Sequence, residues 1–223
     1  MESITERQKH ILETVVSEYI KRAFPIASDF LKKECGLNVS AATIRIDLAD
    51  LAEQGFLEKT YVSSGRVPTD KGYRFYVDSL FEKKRKKIKS FDSFFEEIDD
   101  VFKTYHQLAE ELAHLSSNLA LAQVRDNFFL KEGWEEISLL PEFKNTEYFK
   151  GFIEMVRDFE EHIEEVDFDE GIRVFIGKEI PFSEKDYSFV VGKKDNKSIA
   201  LLGPKRMDFE KNISLLHSLI ESM

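Results

Sequence analysis

The chain has 223 residues, of which 42% are hydrophobic and 20 are phenylalanine, enough apolar material for one large or two small folded domains, which excludes a disordered chain. One cysteine, Cys35, excludes an intramolecular disulfide, and no apolar run approaches the roughly 18 residues of a membrane span, so a cytoplasmic protein is expected. The net charge of −10 is uneven: residues 1–89 carry 17 Lys and Arg against 13 Asp and Glu, a net +4, and the rest carries −14, so a polyanionic partner would meet one end only.

Thr5-Glu6-Arg7-Gln8 has the form of a capping box, and Ile11, Leu12, Val15, Val16, Tyr19 and Ile20 follow it at helical spacing. Pro25 ends the connection, and a second helix is predicted from about Ser28 to Cys35, stopped by Gly36. Ser40 is a natural N-cap for a third helix that ends near Gly55. On this helix Ile44, Leu48 and Leu51 share one face, with Ala41 and Ala52 at its edges. The opposite face carries Ala42, Ile46, Ala49, Asp50 and Glu53, flanked by Thr43 and Arg45. Small residues at its start allow the backbone to approach a groove, and Thr43 and Arg45 can donate to phosphates or base edges. The helical pattern by itself also describes a plain three-helix bundle with a solvated outer face.

The next stretch separates the two. GFLEKTYVSSGRVPTDKGYRF reads as strand, turn, strand and helix, with Phe56, Leu57, Tyr61 and Val62 as strand residues. Ser63-Ser64-Gly65-Arg66 forms a turn with a cation at its tip, and Pro68, Thr69 and Asp70 start the helix. Three helices followed by such a ribbon predict a winged helix within residues 1–82. Its expected DNA contacts are Ser40, Ala42, Thr43, Arg45 and Ile46 from the third helix, with Lys59, Ser63, Ser64, Arg66 and Thr69 from the ribbon and its exit.

Residues 83–89, KKRKKIK, form a basic run that suits either a phosphate-contacting extension or a solvated helix end. From there Phe91, Phe94, Ile98, Val101, Tyr105, Leu108, Leu112, Leu115, Leu119 and Ala122 repeat at alternating spacings of three and four, an a/d seam over about four heptads. Apolar neighbours at Phe95, Phe102 and Ala109 widen the stripe, which favours a bundle or a helix laid on a domain over an isolated coiled coil. The segment 83–131 is read as a linker and dimerisation helix with Phe94, Ile98, Val101, Tyr105, Leu108, Leu112 and Leu115 at the interface. The alternative is a helix packed on its own domain.

Residues 132–223 read as an α+β unit. EGWEEISLLPEF suggests a short helix and turn, and Glu147 to Glu165 a helix with Phe149, Phe152, Ile153, Val156, Phe159 and Ile163 on one face. GIRVFIGKEI, YSFVVGKK and KSIALLG suggest three strands, and a final helix follows Asp208 with Ile213, Leu216, Leu219 and Ile220 buried. The five histidines are scattered and no nucleotide-binding or nucleophile motif occurs, so neither an enzyme nor a cofactor is expected. Gly203-Pro204-Lys205-Arg206 could hold an anion, although a structural turn fits it better.

Three stretches, TERQKHIL (5–12), LNVSAATIRIDLADLAEQGFLEKTYVSSGRVPTDKGYRFYVD (37–78) and LLGPKRMDF (201–209), resemble the HrcA family of heat-inducible transcription repressors. The resemblance implies an N-terminal winged helix binding an inverted-repeat operator upstream of chaperone genes. It also implies a homodimer, control by a GroEL-type chaperonin, and a GAF-like C-terminal domain, here in reduced form. The chain departs from the family pattern at Ile46, where the family has a polar Asn, and in the middle, where members carry an additional dimerising segment. The rival readings are a GAF-like regulator answering to a small ligand and an adaptor that uses its winged helix on protein.

Overall fold

In a computed structural model the described residues are 4–37, 39–60, 65–83, 90, 91, 101–125, 128–163, 170–181, 186–195 and 197–223. The chain divides into two units, residues 1–83 and 84–223. A boundary between residues 131 and 132, as expected from the sequence, would cut a strand of the second unit. Among the described residues no helix is long and apolar enough to cross a membrane.

The first unit is a winged helix. Helix α1 (Glu6–Arg22) starts at the expected capping box: the Gln8 amide donates to the Thr5 hydroxyl at 3.2 Å, and the Thr5 amide donates to the Gln8 side chain at 2.9 Å. Helix α2 (Ser28–Glu34) ends before Gly36, whose φ of +63° is the left-handed geometry glycine tolerates. Helix α3 (Ala41–Glu53) is capped by the Ser40 hydroxyl, which accepts from the Thr43 amide at 3.0 Å. Ile11, Leu12, Val15, Val16, Leu31, Ile44 and Leu51 are fully buried among these three helices. Strands β1 (Leu57–Lys59) and β2 (Arg66–Pro68) pair antiparallel, and Ile26 bridges to Arg66 on the other side of β2. Helix α4 (Asp70–Glu82) follows, capped by Thr69.

One ribbon expectation changes. Arg66 is the first residue of β2 and faces Lys59 at the loop end of the ladder, so it belongs to the strand and not to the turn. The reason is the two backbone bonds it exchanges with Ile26, each 2.9 Å, which hold it in a strand. The expected strand residues Tyr61 and Val62, the turn residues Ser63 and Ser64, and the basic run after Lys83 lie outside the described residues.

The second unit is an antiparallel five-stranded sheet with helices on both faces. Its strands are β3 (Leu119–Arg125), β4 (Phe128–Glu132), β5 (Gly171–Ile176), β6 (Tyr187–Lys194) and β7 (Lys197–Pro204), in the order β4-β3-β7-β6-β5. Helix α5 (Val101–Ser116) precedes β3, the short α6 (Trp134–Ser138) follows β4, and α7 (Thr146–His162) and α8 (Phe209–Ser222) complete the unit. This arrangement is GAF-like. The face formed by Leu119, Leu121, Phe129, Tyr187, Phe189, Val191, Ala200 and Leu202 packs on Phe152, Met155, Val156 and Phe159 of α7. On α7 Met155 takes the buried place expected of Ile153, which is exposed.

The long heptad helix is shorter than its spacing suggests. It stops at Ser116; Ser117 is left-handed at φ +56°, and Asn118 turns back on Ser116 through two hydrogen bonds of 3.1 and 2.8 Å. Leu119 and Ala122 therefore belong to β3. Both faces of β3 are covered at its start, so Leu119 to Ala122 are apolar without alternation, and such a run fits helix and strand periods alike. The seam itself faces the sheet: Tyr105, Leu108 and Leu112 are only 3%, 0% and 0% exposed within the single chain. A helix covering a sheet needs an apolar stripe of the same width as a helix in a bundle, so these three of the expected interface residues serve the unit's own core. Leu115 is half-buried, Val101 is 57% exposed, and Phe94 and Ile98 lie outside the described residues.

Candidate nucleic-acid interface

The surface of α3 is divided as its sequence period requires. Ile44, Leu48 and Leu51 point inward, while Ala42, Arg45, Ile46, Ala49 and Glu53 are exposed. Ser40 and Thr43 sit together at the helix start, their hydroxyls 2.8 Å apart, so the Thr43 hydroxyl already has a local partner.

One buried residue of α3 is charged. Asp47 is 1% exposed, and its two carboxylate oxygens accept from Arg7 of α1, Oδ2 from Nε at 2.8 Å and Oδ1 from Nη2 at 3.0 Å. This paired fork fixes both the distance and the rotation of α3 against the start of α1. A second link, from Gln8 Nε2 to Asp50 at 3.4 Å, runs beside it. The pairing spans 40 residues, and the local sequence signal for it is an acid sharing the inward face with Ile44, Leu48 and Leu51. Removing Arg7 would leave an unpaired carboxylate in the interior. Arg7→Met is expected to lower the melting temperature by several degrees and to weaken DNA binding. The double variant Arg7→Met, Asp47→Leu is expected to recover the stability; a single variant that melts like the parent in calorimetry would contradict this role.

Beside α3 lies a cleft of about 350 Å³ lined by Ala27, Ser28, Asp29, Arg45, Leu48, Lys59 and Arg66. Three structural elements bring the cations together. Arg45 comes from α3, and Lys59 and Arg66 are opposed residues of the two ribbon strands. Like charges directly opposite one another destabilise a strand pair, and an anion between them would relieve that repulsion. Asp29 is the one acid of the lining. The three cations are contacts expected from the sequence; Ser28 and Asp29 come alongside because Ile26 bridges to β2 and carries the start of α2 with it, and Leu48 comes from α3 itself.

Of the remaining expected contacts, Thr69 is committed to the fold. Its hydroxyl donates to the Gly55 carbonyl at 2.7 Å and accepts from the Gly72 amide at 3.2 Å. Elsewhere, the Gly203–Arg206 turn has no cation to spare for a ligand: Lys205 pairs with Asp186 at 2.5 Å, and Arg206 pairs with Glu142. Burial pushes the Cys35 thiol above its ordinary value, away from the thiolate a nucleophile needs. Among the described residues no three His, Cys, Asp or Glu are grouped to hold a metal ion.

Comparison with known proteins places these features. Residues 79–213 match the family model described as the HrcA protein C terminal domain, and residues 35–65 match the DeoR-like helix-turn-helix domain. Among solved structures, a hypothetical protein determined at 2.2 Å resolution is 19% identical, with a TM-score of 0.78 over 99% of this chain and 100% of that one. That likeness concerns the fold. An IclR family transcriptional regulator from Brucella abortus aligns over 95% of this chain and 92% of that one, at 13% identity and a TM-score of 0.26.

Proposed function

The chain belongs to the HrcA family of heat-inducible transcription repressors, and on that premise we propose that it represses heat-shock chaperone operons by binding an inverted-repeat operator as a homodimer. The observation that carries the DNA reading is the meeting of Arg45, Lys59 and Arg66 in one cleft beside the exposed face of α3, on the basic end of an acidic chain. In this reading the cleft takes backbone phosphate and the α3 face enters the major groove. Titration of the full chain against a palindromic duplex from its own chaperone promoter, over a range of salt concentrations, tests it. Binding that ignores salt, or that is equal on a scrambled duplex, would reject it.

Repression ends on heat stress, and a GroEL-type chaperonin keeps the repressor active between stresses. The packing of the second unit supports control through folding over control by a small ligand. Phe152, Phe159, Tyr187 and Phe189 are fully buried against one another on the face under α7, with ring centroids 5.0 to 5.4 Å apart for Phe159–Phe189 and Phe152–Tyr187. A gel shift with and without chaperonin, before and after heating, separates the two, because a ligand-driven repressor would be indifferent to chaperonin.

For the dimer, the surface that supports a second copy is apolar and exposed. Val101 and Phe102 open α5, and the Phe102 ring lies 6.0 Å from that of Phe128 at the start of β4. The double variant Val101→Glu, Phe102→Glu is expected to give folded monomers by light scattering with an unchanged melting temperature of the body. A dimer that persists would move the interface elsewhere.

A further inference from the structure

The middle of the exposed α3 face is held by an apolar side chain. Ile46 is 62% exposed, with exposed Ala42 four residues before it and exposed Ala49 three residues after it. The other large exposed apolar residue among the described residues of the first unit is Phe24, which lies between α1 and α2 and not on α3. A β-branched residue in a helix lowers helix propensity slightly, and at this exposure it contributes little burial to offset that. Ile46 has no contribution to the fold that would explain it.

Its chemistry narrows what it can meet. The side chain has no donor or acceptor, so it cannot pair with the polar edge of any base. In the major groove the one apolar group is the C5 methyl of thymine. Ala42 and Ala49 carry only a methyl each, so the helix backbone can come close on both sides and Ile46 reaches furthest into the groove. The surroundings select a duplex over an apolar protein surface: Arg45 is the adjacent residue, and it lines the cleft shared with Lys59 and Arg66.

We propose that Ile46, between Ala42 and Ala49, is a specificity-determining residue that reads thymine methyl groups in the major groove. The proposal rests on the DNA reading above. It makes sequence preference at the centre of the recognition helix a matter of apolar contact. A cytosine or guanine at that step would set the isoleucine against polar groups whose water it displaces and whose hydrogen bonds it cannot replace.

The test removes the methyl and nothing else. Duplexes are selected from a randomised pool on the full chain, and each dT of the selected duplex is then replaced in turn by dU. One or two positions per half-site are expected at which dU weakens binding about fourfold, the worth of one buried methyl group. In Ile46→Ala the dU replacement is expected to have no effect, while Ile46→Val keeps most of it. Both variants should melt like the parent, since the side chain lies outside the core. Binding indifferent to dU at every position, or a dU effect that survives in Ile46→Ala, would overturn the proposal. A chain that selects no duplex at all would overturn the DNA reading itself.

Discussion

Replacing Arg45, Lys59 and Arg66 together by alanine is expected to reduce operator affinity about a hundredfold or more at physiological salt. All three line the cleft beside α3, and none lies in the buried core of the winged helix, so the melting temperature should change little. The salt dependence carries the sharper information. Each phosphate neutralised releases about one counterion, so the slope of log affinity against log salt should fall by about 2 to 3 in the triple variant. Asp29→Asn, which removes the acid from the same cleft, should act in the opposite direction and tighten binding. Lys150→Ala on the exposed surface of the acidic body serves as the charge control and should leave both affinity and slope as they were. A triple variant that binds with the parent's slope would mean that the cleft does not meet phosphate.

Replacing Leu108 by glutamate is expected to unfold the second unit. Leu108 is fully buried where α5 covers the sheet, and even Leu108→Ala would cost about 3 kcal/mol through the cavity it leaves. A carboxylate there must be desolvated or protonated as well. That is a large part of the roughly 5–15 kcal/mol by which a domain is stable. Trp134, the chain's single tryptophan, packs edge-on against Phe149 and Phe152 in the same unit, so its fluorescence reports the loss. This variant also separates two accounts of the heptad pattern. If the seam were an interface between two chains, Leu108→Glu would yield folded monomers with native Trp134 emission. The core position demands instead that emission shift to that of exposed indole in every oligomeric state.

The α5 seam explains why a regular spacing could be read two ways. A period near 3.5 says which side of a helix is apolar and nothing about what covers it. The wide stripe was the local sign of a helix laid on a domain, because Ala109 and Ala113 allow close approach to β3 and β4, and both are buried. Past Ser116 the spacing continued into Leu119 and Ala122 by coincidence, and β3 and β4 were missed. In contrast GIRVFIGKEI, YSFVVGKK and KSIALLG became β5, β6 and β7, since polar turns bound each of them.

The sequence by itself determined the helix starts, the winged-helix pattern and the family. The caps at Thr5, Ser40, Thr69 and Asp208 each accept a hydrogen bond from an amide three residues on, so their information is complete within one turn. The exposed face of α3, with Ile46 at its centre, was likewise visible from helical period. Only the tertiary structure decided the fork between Arg7 and Asp47, the place of Arg66 in the strand opposite Lys59, and the cleft that joins these two cations to Arg45. It also decided that Tyr105, Leu108 and Leu112 belong to the core. These depend on pairs distant in the chain, 40 residues apart for Arg7 and Asp47 and further for the α5 seam, and periodicity carries no term for which distant element arrives to bury a face or neutralise a charge.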